Sequence, residues 1–71
     1  MNMMSFARIE RFILRKNGYA KKIKKGLHRV YVCNICNNGR EYMNGAILVH
    51  FSRSHKKEYS RIKAESLEVM Q

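Results

Sequence analysis

Proline is absent from this 71-residue chain, cysteine occurs only twice, acidic residues number five, and no apolar stretch is long. Each shortage removes a class of answers. Two cysteines allow one disulfide at most, and a Cys33–Cys36 bridge closes a loop too short to constrain the unfolded chain much. A disulfide framework is excluded. A membrane span needs roughly 20 consecutive apolar residues, and nothing here approaches that, so no membrane role is expected. Residues 1–14 contain apolar positions, but Arg8, Glu10 and Arg11 interrupt them and no small-residue cleavage site follows, so a secretory leader is not read there. The expected location is intracellular: cytoplasmic, in the host cytoplasm if the source is viral, nuclear if it is eukaryotic. Thiols are reduced in those compartments, which favours metal binding over disulfide formation for a Cys-x2-Cys pair.

Cation is what the chain has in excess. Fifteen lysines and arginines against five acids give a formal net charge of +10. Residues 19–32 hold five cations and no acid, whereas residues 33–50 are neutral. Such a field draws polyanions. A solvated surface that merely keeps the chain dispersed is the weaker reading of so large an imbalance. A core alone seldom stabilises a chain below about 70–80 residues, so a staple is expected, and metal fits better than disulfide.

Along the chain, residues 3–16 read as a helix that Ser5 can cap. Phe6, Ile9 and Ile13 recur on one face with Phe12 beside them, and Asn17-Gly18 reads as the stop. Residues 19–29 read as a basic connector with no clear period, a short helix or an extended arm. Val30-Tyr31-Val32-Cys33 reads as a strand, Asn37-Asn38-Gly39 as a turn and Arg40-Glu41-Tyr42 as a short returning strand. A helix is expected from Asn44, an N-cap residue type. Ile47, Leu48, Phe51, His55, Tyr59, Ile62, Ser66 and Val69 continue at three- and four-residue steps. The helix is expected to pass His55 and run to about Met70, with Tyr59 and Ile62 packing on Phe6, Ile9 or Ile13 of the same chain or a second copy. A break after His55 is the alternative, because Ser54 and Lys56-Lys57 weaken the pattern there.

The motif that carries chemistry is Cys33-x2-Cys36-x13-His50-x4-His55. Structural zinc takes four Cys and His ligands in a tetrahedron, a two-residue knuckle aims both sulfurs at one atom, and histidines with three to five residues between them can complete the set when the last helical turn loosens a little to aim both rings. The competing reading of Cys33 and Cys36 as a redox pair lacks the βαβ context it requires. His28, outside a four-ligand set that is already complete, is read as an ordinary surface or phosphate-contacting residue.

Residues 31–55 resemble the C2H2 zinc-finger family. Tyr31 stands two residues before the first cysteine and Ile47 three before the first histidine, as the family pattern has them. Thirteen residues replace the usual twelve between Cys36 and His50, and Arg40 stands where the central aromatic is usual, with Tyr42 as its substitute. The resemblance implies a small α+β fold: one ββα finger over residues 30–55, an N-terminal helix and basic connector over 1–29, and a helical extension over 56–71. It implies one structural Zn²⁺ held by Cys33, Cys36, His50 and His55. Size, basicity and a single finger also resemble small single-finger proteins of archaea and their viruses.

In DNA-reading fingers, helix positions −1, 3 and 6 meet base edges. Here those are Met43, Ala46 and Val49, and none offers a bidentate donor. Binding is therefore expected through phosphates, from Lys21, Lys22, Lys24, Lys25 and Arg29 joined by Arg53, Lys56 and Lys57, with Arg8, Arg11 and Arg15 as a third patch. The expected function is a zinc-dependent nucleic-acid-binding protein, a small regulator of transcription acting on DNA, with RNA as the second polyanion. The alternative is a protein-interaction module using Met43, Ala46 and Val49, or a homodimer formed through the N- and C-terminal apolar helix faces. The five glutamates are scattered and the metal positions are filled, so the chain is not read as an enzyme.

Overall fold

The computed structural model describes residues 6–70. It opens with α1 (Phe6–Lys16), whose Ile9, Ile13 and Leu14 are buried while Arg8, Arg15 and Lys16 stay outside. The helix stops where Gly18 takes φ +73°. The Gly18 N–H donates to the Arg15 carbonyl (3.0 Å) and the Tyr19 N–H to the Leu14 carbonyl (3.1 Å), the paired bonds of a glycine-terminated helix. The expected Ser5 cap and the start at residue 3 lie outside the described residues.

Residues 19–29 are not an unpartnered connector. They supply β1 (Ala20–Lys25), which pairs antiparallel with β2 (His28–Cys33) from Ala20↔Cys33 to Lys25↔His28. A two-residue loop joins them, and its first residue, Gly26, has φ +59°, as tight hairpin loops require. Strand β3 (Glu41–Tyr42) pairs with the other side of β2 through Tyr31↔Tyr42 and Val32↔Glu41. The sheet order is β1-β2-β3. Side chains alternate across a strand, so Ala20, Lys22, Lys24, Arg29, Tyr31 and Cys33 share the helix-facing side. Lys21, Ile23, Lys25, His28, Val30 and Val32 share the other.

Helix α2 (Asn44–Ser54) starts with Asn44 as its first helical residue; Met43 takes the N-cap position and makes no side-chain cap. The helix does not run on. At His55 the backbone turns out of the helical range (φ −133°, ψ 58°), and α3 (Lys56–Met70) begins anew. The break sacrifices no hydrogen bond at this residue: the His55 N–H still donates to the Phe51 carbonyl and the His55 carbonyl still accepts from Tyr59, both at 2.9 Å.

The new direction brings α3 against α1. Ile62 is fully buried in one cluster with Ile9, Ile13, Leu14, Tyr31, Cys33, Ile47, Leu48 and Phe51, and Tyr59 packs on it half-buried. Lys63 Nζ lies 3.5 Å from the buried Glu10 carboxylate, and Asn17 Nδ2 donates to Glu65 at 3.3 Å. The apolar stripe ends early: Ser66 is buried with its hydroxyl donating to the Ile62 carbonyl (2.7 Å), but Val69 is exposed. The result is a small α+β fold in a ββα-like layout, with helices on one side of the sheet. No helix among the described residues is long and apolar enough to cross a membrane.

Candidate metal centre

The end of β2 delivers Cys33 to the core, and a tight turn over Asn34–Cys36 brings Cys36 back beside it. The turn is tied to the α1–β1 junction: the Asn34 backbone N–H donates to the Tyr19 carbonyl (2.9 Å) and its side-chain amide to the Gly18 carbonyl (3.1 Å). Beyond it the fingertip needs left-handed backbone at Asn37 (φ 51°) and Gly39 (φ 76°). Asn38 holds this loop from both ends. Its Oδ1 accepts from the Arg40 N–H (2.9 Å), and its Nδ2 donates to the Tyr42 hydroxyl (3.0 Å).

The four donor atoms of Cys33, Cys36, His50 and His55 lie within 4.8 Å of one another, a group able to hold one metal ion. Cys33 Sγ is 3.4 Å from His55 Nε2, and Cys36 Sγ is 3.4 Å from His50 Nε2. A tetrahedron with metal–sulfur bonds of about 2.3 Å and metal–nitrogen bonds of about 2.0–2.1 Å has S···N edges of about 3.6 Å. These two S···N separations therefore suit a shared ion of that size. Rings fix the imidazoles: Tyr42 stacks on His50 with centroids 4.5 Å apart, and Phe51 sits 5.7 Å from His50 and 5.0 Å from His55. Tyr42, expected to replace the central aromatic, packs half-buried against the edge of the core cluster and stacks on His50.

Burial pushes the Cys33 thiol above its ordinary value, while the backbone N–H groups of Cys36 and Ile35 pull the other way by favouring thiolate. Burial, then the charges of His55 and Arg40, hold His50 below its ordinary value, so its neutral, ligating form is favoured.

The cations expected to meet an anion do not form one surface. Lys21 and Lys25 are on the outer side of the sheet, and Lys25 Nζ pairs with Glu41. Lys22, Lys24 and Arg29 are on the helix-facing side. Arg53 lines a depression with Arg40, Ala46 and Val49; Lys57 lines another with Tyr19, Glu58 and Arg61; Lys56 is exposed at the start of α3. The arginines of α1, expected as a separate third patch, instead join Lys22 and Arg29 around one cleft. Sequence reasoning missed that union because β1 was not read as a strand. The one signal in the sequence is Gly26-Leu27, a two-residue turn candidate between residues 20–25 and 28–33.

No family model, curated protein or solved structure matches the chain significantly.

Proposed function

We propose that this chain is a zinc-dependent nucleic-acid-binding protein of the C2H2 finger kind, acting on DNA through phosphate contacts, as a small transcription regulator would. The observation that carries the reading is the convergence of two thiols and two imidazoles within 4.8 Å in a chain of net charge +10. Two sulfur and two nitrogen donors in a tetrahedral set suit Zn²⁺, and four protein ligands leave no open position, which makes the ion structural. Cys33, Cys36, His50 and His55 would hold it, and it would fasten β2 to α2.

Duplex DNA is favoured over single-stranded RNA because stacking on bases needs free aromatic faces. Tyr31 and Phe51 are buried, Phe6, Tyr19, Tyr42 and Tyr59 are half-buried, and Phe12 is the one exposed ring among the described aromatics, too few for a row of stacked bases. The exposed positions that would face a groove, Met43 at the N-cap of α2 and Ala46 and Val49 within it, carry no side-chain donor for base edges. Affinity then rests on phosphates, with weak discrimination among sequences.

The test is a titration of the metal-loaded protein with duplex DNA across a range of salt, alongside Co²⁺ substitution to read the donor set. Tetrahedral Co²⁺ absorption and a steep loss of affinity with salt are expected. Octahedral Co²⁺, or no binding to DNA at physiological salt, would refute the reading and pass the exposed Met43 and Val49 to the protein-interaction alternative.

A further inference from the structure

We infer that the cleft between α1 and the helix-facing side of the β1–β2 hairpin seats the phosphodiester backbone of duplex DNA, with Arg8, Arg11, Arg15, Lys22 and Arg29 as its phosphate ligands. The opposite side of the sheet, with Lys21 and Lys25, stands off the DNA. The inference rests on the nucleic-acid reading above and assigns it to one face.

The cleft has a volume of about 250 Å³ and is lined by those five cations with Tyr31 and Asn44. No acid among the described residues lines it, although this chain pairs acids with cations elsewhere: Glu10 with Lys63 and Glu41 with Lys25. Five like charges gathered from α1, β1 and β2 repel one another unless an anion joins them. Lys22 registers this repulsion. Partial desolvation, then the charges of Arg15, Arg29 and Arg11, hold its ammonium below the ordinary value. Four of the five are arginines, whose planar fork matches phosphate oxygens in pairs.

Two further features select a polymer backbone over a small free anion. Arg29 and Asn44 also line an adjoining depression with Lys24, so cationic lining continues past the cleft on the same side of the sheet. Asn44 is the first residue of the eleven-residue α2, and the partial positive charge at that helix end adds to the field. By contrast, the outer side carries Ile23, Val30 and Val32 between its lysines, and Lys25 is already paired.

The experiment is duplex DNA binding against salt for three metal-loaded proteins: wild type, Arg8→Ala/Arg15→Ala/Arg29→Ala, and Lys21→Ala/Lys25→Ala. All five substituted side chains are exposed, and Co²⁺ absorption reports the fold of each protein. Each lost phosphate contact removes about 0.9 from the slope of log K against log salt. The arginine variant should lose about 2–3 in slope and at least tenfold in affinity at moderate salt, and the lysine variant should keep the wild-type slope within about one. A second measurement does not depend on any variant folding. Adding duplex to the wild type should shift amide resonances of residues 8–15, Lys22 and Arg29 and leave Lys21, Ile23 and Lys25 in place. If the wild type binds DNA and the lysine variant loses as much slope as the arginine variant, or the shifts fall on the outer side, the cleft assignment is overturned while the nucleic-acid reading stands. If the wild type binds no DNA, that reading fails first. Inorganic tripolyphosphate binding as tightly as duplex would show a small-anion pocket and overturn the backbone assignment.

Discussion

His50 and His55 cannot both face one ion from an unbroken helix, since five residues at the α-helical repeat place them about 140° apart. The turn at His55 resolves this by re-aiming the second ring, so the chain direction after α2 is set by ligand spacing. Protons compete with metal for the same atoms. The folded state holds His50 below its ordinary value of 6.5, so it binds fewer protons there than the unfolded chain does. Stability from this residue is complete above 6.5 and falls as pH drops from that value through the lower folded one. Chelator-free acid titration should therefore release metal on the acid side of neutrality, followed by Co²⁺ absorption; release only in alkali would contradict the sign. Tyr42→Leu should weaken metal affinity by roughly fivefold, because an aromatic pair contributes about 1 kcal/mol, and competition with a calibrated chelator measures it. The four ligands were legible because donor type and spacing are written along the sequence. Tyr42 was legible as the nearest aromatic to a missing one. The Glu10–Lys63 pair was not, because partners on α1 and α3 meet only once the chain has turned at His55.

At the level of elements, α3 is held by one residue above all. Ile62 is fully buried between the two halves of the core, and Ile62→Ala should cost about 2–5 kcal/mol. Ser66→Ala should cost about 1 kcal/mol or less, since its hydroxyl only returns to the carbonyl one turn back within its own helix. Ser66→Leu should cost more, by overfilling a site with no exposed surface. Denaturant midpoints of the three variants rank them, and an order with Ser66→Ala the worst would show that the hydroxyl, not the packing, matters. The helices were readable from their apolar spacing, and β2 from its β-branched and aromatic residues. Strand β1 was not, because Lys-Lys-Ile-Lys-Lys shows neither strand propensity nor alternation by polarity. Its strand character comes from the ladder to β2 and from Ala20 packing inward. The break at His55 was visible only as a weakening of the stripe, and it accompanies the approach of His55 to Cys33 across the chain.

For the whole molecule, a bound zinc ion would outweigh the core. Folded chains of this length carry about 5–10 kcal/mol of net stability, whereas structural zinc contributes apparent binding energies of about 10–16 kcal/mol in finger peptides. Cys33 belongs both to the metal group and to the core cluster that joins α1, α2 and α3. Excess chelator or Cys36→Ser should therefore unfold residues 31–55 and loosen the α1–α3 contact with them; amide dispersion retained across residues 31–55 in metal-free protein would disprove this dependence. One further consequence belongs to β1, which among the described residues has a strand, β2, on one side only. Its outer row of backbone N–H and C=O groups is a template on which another copy's strand could add, and such open edges seed aggregation. Four lysines in six residues line that edge, and a second identical strand about 4.8 Å away would face them with four more. The lysines of β1, those that stand off the proposed DNA face included, would thus oppose pairing with a second copy. Replacing all four lysines with threonine should raise strand propensity and remove the repulsion together, and sedimentation should then show concentration-dependent assembly beyond that of the unsubstituted chain.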